Sequence, residues 1–190
     1  MKKESLDAWY KDNDLHDYLH RHPLSKDSLV VDIGSYKGNW IKHMCDSYGC
    51  ICIGVEPIEE YVKDSIKFQF INDVKIYNFG LTTGPDIEHE ISVSEDASSI
   101  FILDDNLNKT KIKLKNAKSF FDLIDREIDV LQINAEGLEY ELVPYIVENK
   151  IIDKVKRIQV QFHDFYPSSE ELMPKCINMI EDSGFTTKFN

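Results

Sequence analysis

The residues of this sequence best suited to chemistry sit where short apolar runs end. LVVD closes on Asp32, CICIGVE on Glu56, KIYNFG on Gly80, LQINAE on Asn134 and Glu136, and IQVQFHD on His163 and Asp164. Runs of this kind read as strands buried on both faces. In a parallel sheet, ligands bind outside the carboxyl ends of the strands, at the switch point in strand order. Random placement would scatter these polar groups along the runs, so their convergence marks a site. His163 is the best proton acceptor among them, because an ordinary imidazole titrates near neutrality. Glu136 and Asp164 could orient that ring or bind acceptor hydroxyls, which makes His163, Glu136 and Asp164 the catalytic candidates. The same letters also fit a strand-end histidine hydrogen-bonded to a carboxylate for structural reasons. Asn134, Glu136, His163 and Asp164 could hold magnesium or manganese, but that reading is not favoured and no residue is assigned to a metal.

The elements that position these groups begin with LVVDIGSYKGNW, residues 29–40. Leu29, Val30 and Val31 form the strand, Gly34 and Gly38 bracket a polar loop, and Trp40, Ile41 and Met44 follow at helical spacing. Glycine allows the sharp turn and a close backbone approach. N–H groups at the helix start would then favour an anionic group. A dinucleotide site wants G-x-G-x-x-G, whereas bulky Tyr36 and Lys37 precede the second glycine here. The second strand, Cys50 to Pro57, places Glu56 about twenty residues after the loop, where a carboxylate accepts hydrogen bonds from ribose hydroxyls. Alternatively, Glu56 caps the helix that starts near Ile58.

Lys75 to Leu81 is expected as a third strand, and residues 85–118 as irregular β structure. There Lys109, Lys111, Lys113 and Lys115 alternate, which makes either a solvated edge or a docking face for an anionic substrate. A helix at Phe120–Ile124, strands at Ile128–Ile133 and Lys156–Phe162, and a helix at Glu171–Asp182 follow. Gly184 ends that helix, and FTTKFN starts a strand left unfinished, so the terminal strand pair reads as incomplete and its open edge would allow homo-oligomers. Residues 1–27 read as a helical segment ahead of the core at 28–190. The alternation predicts an α/β fold, a mainly parallel twisted sheet flanked by helices, in a single domain over 1–190.

A formal net charge of −12 argues against a nucleic-acid partner, whose phosphates need a basic surface. No apolar run is long enough to span a bilayer, and the polar start MKKESLDAWYKDND does not resemble a signal peptide. Cys45, Cys50, Cys52 and Cys176 match no zinc spacing and read as buried thiols of a reducing, cytoplasmic compartment.

The segments VDIGSYKGNW, GVEP, NFGL, SSIF, LQINAEGLEYELV and IQVQFHDF together resemble the FkbM-type S-adenosylmethionine-dependent methyltransferases, over roughly residues 29–190. The resemblance implies a Rossmann-like class I methyltransferase fold, S-adenosylmethionine as cofactor, and O-methylation of a hydroxyl on a glycan or small polar metabolite. It implies that Asp32, Gly34, Ser35 and Gly38 hold the methionine end, with Tyr36, Asn39, Pro57 and Asn134 as further cofactor-binding candidates. Glu56 would bind the ribose, Gly80 and Leu81 would lie beside the adenine, and Ser98 and Ser99 would line the pocket. The family's K-I-D-V-E-G reads Q-I-N-A-E-G here, so an amide replaces one carboxylate. A cofactor-binding module without activity, serving a larger assembly, is one alternative; a nicotinamide-dependent enzyme, disfavoured by the glycine spacing, is another.

Overall fold

A computed structural model of the chain describes residues 20–65, 67, 73–93 and 107–188. The apolar run of the first motif forms strand β1 (Leu29–Ile33), every residue of which is buried. The alternation of a strand sends Val31 and Ile33 to one face and Val30 to the other. The polar loop leads into helix α1 (Asn39–Tyr48), which lays Ile41, Met44 and Cys45 on the sheet. Strand β2 (Ile51–Val55), helix α2 (Glu59–Ser65) and strand β3 (Val74–Tyr77) follow. Strand β4 (Gly80–Thr82), strand β5 (Ile87–Val93) and strand β6 (Asn108–Asn116) come next. Helix α3 (Ala117–Asp122), strand β7 (Val130–Ile133), helix α4 (Glu139–Glu148), strand β8 (Ile158–Val160) and helix α5 (Ser169–Asp182) complete the order.

Two sheets result. The larger is wholly parallel, in the order β3-β2-β1-β7-β8, and the smaller has the order β4-β6-β5. The chain runs outward through β1, β2 and β3, then returns to pair β7 against β1, with Ile33 beside Ile133. The switch point therefore lies between β1 and β7. One face packs Val31, Leu131 and Ile133 against Phe121, Leu142 and Ile146. The other packs Val30, Cys52 and Val130 against Ile41 and Met44. Helices on both faces explain why these strands read as continuous apolar runs. This is a Rossmann-like α/β fold.

Three local expectations are corrected. KIYNFGL is not one strand, because it breaks at Asn78 and Phe79. The Asn78 side-chain amide donates to the carbonyls of Glu56 and Pro57, which turns the chain so that Gly80 opens a strand of the second sheet. The lysine face of β6 is charge-matched across the ladder: Lys113 lies opposite Glu88, Lys111 opposite Glu90, and Lys115 pairs with Asp86 at 2.6 Å. The expected edge is not one, because β6 is the middle strand of its sheet. Residues 185–188 form no strand, so among the described residues β8 pairs only with β7. All four cysteines are free and buried, as expected.

Candidate functional site

The carboxyl ends of β1, β2 and β7 enclose a cavity of about 230 Å³, roofed by Ile91, Ile112 and Leu114 of the second sheet. Sites for small molecules commonly measure about 300–1,000 Å³, so this is a small one.

Glu56 is its best-built residue. It is 5% exposed, and its two oxygens each accept a backbone N–H, one from Tyr36 and one from Ile58, both at 2.9 Å. The helix-capping alternative is therefore realised, and the carboxylate also pins the glycine loop. An ionised carboxylate offers about four acceptor positions, so two remain for a ligand at the cavity wall. Burial pushes Glu56 up to about 7, against the pull of the Ile58 and Tyr36 amides.

Gly34 owes its identity to packing. Its φ of +84° is left-handed, and a Cβ there would lie 1.8 Å from the carbonyl oxygen of Asn134. The β1 loop thus rests directly on the β7 loop. The N–H groups of this loop are already committed: Gly34 and Ser35 donate to the Val55 carbonyl, Gly38 donates to that of Ser35, and Tyr36 donates to Glu56. These four N–H groups are therefore not free to bind an anion.

Asp32 lies beneath the loop rather than in the cavity wall. It is 1% exposed, its Oδ1 has no hydrogen-bond partner, and burial, then the Glu56 charge, pushes it up to about 8. Ser35 and Gly38 are likewise buried under the loop, and Asn39 is exposed at the start of α1. Ser98 and Ser99 lie outside the described residues. The expected positions that do line the cavity are Gly34, Tyr36, Glu56, Pro57, Gly80, Leu81, Asn134 and Glu136. The Asn134 Oδ1 is a buried acceptor without a partner.

The strand-end histidine is not a cavity residue. His163 Nε2 stands 3.3 Å from Glu136 Oε1, and its Nδ1 stands 3.2 Å from Glu139 Oε1. The second approach is a charge contact without hydrogen-bond alignment. Burial opposes the imidazolium, but Glu136 and Glu139 outweigh it and raise His163 to about 9. His163 is thus held between the carboxylates of Glu136 and Glu139, outside the cavity wall. Glu139 is fully buried and accepts the N–H groups of Ala135 at 2.6 Å and Gly137 at 2.9 Å. Asp164 is exposed and absent from the cavity wall.

Tyr36 and Glu136 both adopt left-handed φ of 49°, a strained conformation for side-chain-bearing residues that accumulates at functional sites. Both line the cavity. Sequence reasoning missed Tyr61 and the apolar roof. Tyr61 meets Tyr36 edge-on at 4.6 Å, a pairing that no local pattern announces. Ile91, Ile112 and Leu114 reach the site only through the pairing of β4, β5 and β6.

The chain shares its fold, the Rossmann-like class I methyltransferase fold, with solved structures. The chain is similar to a methyltransferase FkbM from Methylobacillus flagellatus, with 14% identity over 84% of this chain and 38% of that one, at a TM-score of 0.54. A Clostridium thermocellum protein named as an rRNA methylase matches over 93% of this chain and 85% of its own, at 14% identity and a TM-score of 0.58. Aeropyrum pernix fibrillarin, solved with bound S-adenosyl-L-methionine, matches over 87% and 60%, at 15% identity and a TM-score of 0.50. The chain thus spans little more than a third of the FkbM protein. No family model matches the chain, and no curated protein matches it by sequence. Among the described residues, no group of histidine, cysteine and carboxylate side chains is arranged to hold a metal ion, and no helix is long and apolar enough to cross a membrane.

Proposed function

We propose that the chain is an S-adenosylmethionine-dependent methyltransferase, FkbM-like in kind, that methylates a hydroxyl of a sugar or another small polar acceptor. The observation that carries this reading is the buried Glu56 carboxylate at the wall of a switch-point cavity. The residues present fit the cofactor. Glu56 has acceptor capacity left for two ribose hydroxyls, Pro57, Ile58 and Leu81 offer an apolar bed for the base, and the unpartnered Asn134 Oδ1 suits an ammonium donor. When bound, the cofactor supplies a methyl group on an electrophilic sulfonium.

The chain's part is alignment and proton removal. Glu136, the cavity-facing carboxylate of the β7–α4 turn, holds the acceptor O–H and takes its proton as the new O–C bond forms. His163 and Glu139 hold Glu136 in its left-handed conformation. The acidic wall, with Glu56 and Glu136 among its lining residues, and the formal net charge of −12 favour a small neutral acceptor over a polyanion, although two of the similar structures are an rRNA methylase and a fibrillarin. The amide at Asn134 and the charged state of His163 favour a second reading, a cofactor-binding module without turnover.

Calorimetric titration with S-adenosylmethionine, S-adenosylhomocysteine and NADH tests the proposal. The expected result is binding of the first two only, weakened at least tenfold by Glu56→Ala, followed by release of the demethylated product with a hydroxyl acceptor. NADH binding alone would overturn it, and cofactor binding without turnover across a broad acceptor panel would favour the module.

A further inference from the structure

Glu136, His163 and Glu139 form a row of carboxylate, imidazolium and carboxylate at the end of β7. The side chains of His163 and Glu139 are 12% and 0% exposed, and Glu136 is 19% exposed. Carboxylates thus outnumber the imidazole two to one in this row. Glu139 is fully buried and does not line the cavity, so it is not available to a ligand there. Glu136 lines the cavity.

Glu56 stands at the end of β2 and the Glu136 turn follows β7, with β1 between them. Two strand spacings separate these ends, about 10 Å. A nucleoside anchored by its ribose at Glu56 and crossing Gly34 therefore carries its 5′ substituent toward Glu136. No lysine, arginine or histidine lines the cavity among the described residues. A positive charge on that substituent would be attracted to the Glu136 carboxylate, while a neutral substituent would gain no such attraction, and charges in a half-buried setting are poorly screened.

We infer that Glu136 reads the charge on the cofactor's sulfur, favouring the sulfonium form over the neutral thioether left after transfer, and so helps clear the product from the site. This rests on the methyltransferase reading. It makes Glu136 a specificity residue for the state of the cofactor, in addition to its contact with the acceptor.

Calorimetry on the full chain tests it with three probes. These are S-adenosylmethionine, S-adenosylhomocysteine, and sinefungin, which carries an ammonium in place of the methylsulfonium. All three share the same amino-acid end, so their differences isolate the charge at sulfur. Glu136→Gln should weaken S-adenosylmethionine and sinefungin about tenfold and leave S-adenosylhomocysteine within about twofold. Glu136→Asn repeats the test with a residue at ease at positive φ, should the glutamine variant fold poorly. In the wild type, raising salt from low to high should weaken the two cationic probes selectively. Equal losses for all three probes, or none, would overturn the inference while leaving the cofactor assignment intact. A wild-type chain that binds none of the three would end both.

Discussion

Replacing Asp32 by asparagine isolates the most unusual electrostatic feature of the fold. Asp32 is raised from its ordinary 3.8 to about 8, by burial first and by the Glu56 charge second. The unfolded chain therefore loses this proton near pH 4, while the folded chain keeps it until about pH 8. Between those limits the folded state binds the extra proton, so stability must fall as pH rises. Each pH unit costs about 1.4 kcal/mol. The variant cannot titrate there. Its stability relative to wild type should improve by about 1.4 kcal/mol per unit, or roughly 3 kcal/mol from pH 5 to pH 7. That is a large share of a domain's usual 5–15 kcal/mol, a range given as a rough guide. Asparagine also brings an N–H₂ group into a buried site, a cost of about 1–3 kcal/mol that does not vary with pH. The slope of the difference, and not its offset, is therefore the readout. Glu56 and His163 are present in both proteins, so their own titrations largely cancel. Urea unfolding at pH 5, 6, 7 and 8 supplies the curves. Parallel wild-type and variant curves would refute the reasoning, because Asp32 would then be ionised at its ordinary pH.

His163→Gln should cost roughly 2–3 kcal/mol at pH 6 and much less at pH 10. The imidazolium raised to about 9 contributes fully below its ordinary 6.5 and loses that contribution through pH 9. Urea unfolding at the two pH values checks this, and an equal deficit at both would reduce His163 to packing. Gly34→Ala places a Cβ 1.8 Å from the Asn134 carbonyl at a left-handed φ, which no side-chain motion relieves. Its melting temperature should fall by well over 10 °C, or the chain should fail to fold, whereas Gly49→Ala, with open space around it, should cost far less.

Much of this protein is determined by its sequence alone. Val30, Val31, Leu131 and Ile133 are apolar because helices cover both faces of the strands that carry them, and such double burial writes a continuous run into the letters. Glycines at 34 and 38 bracket a turn that only left-handed backbone can make, and Glu56 falls where a strand must end. Those local constraints were legible, and they led to the parallel sheet, the switch point and the cavity residues Glu56, Asn134 and Glu136. Tertiary structure decided which way the remaining groups face. Asp32 and Ser35 sit in the same motif as Gly34 and Tyr36, yet strand alternation and the packing of α1 put them beneath the loop. The loop's N–H groups were spent on Val55, Ser35 and Glu56, partners at the end of β2 and within the loop itself. His163 came to lie between Glu136 and Glu139, which flank both of its nitrogens through the β7–β8 pairing. Ile91, Ile112 and Leu114 became a cavity roof through a second sheet whose pairing no local period announces. Proton affinity and cavity shape depend on neighbours distant in sequence, so they are fixed only when the chain folds.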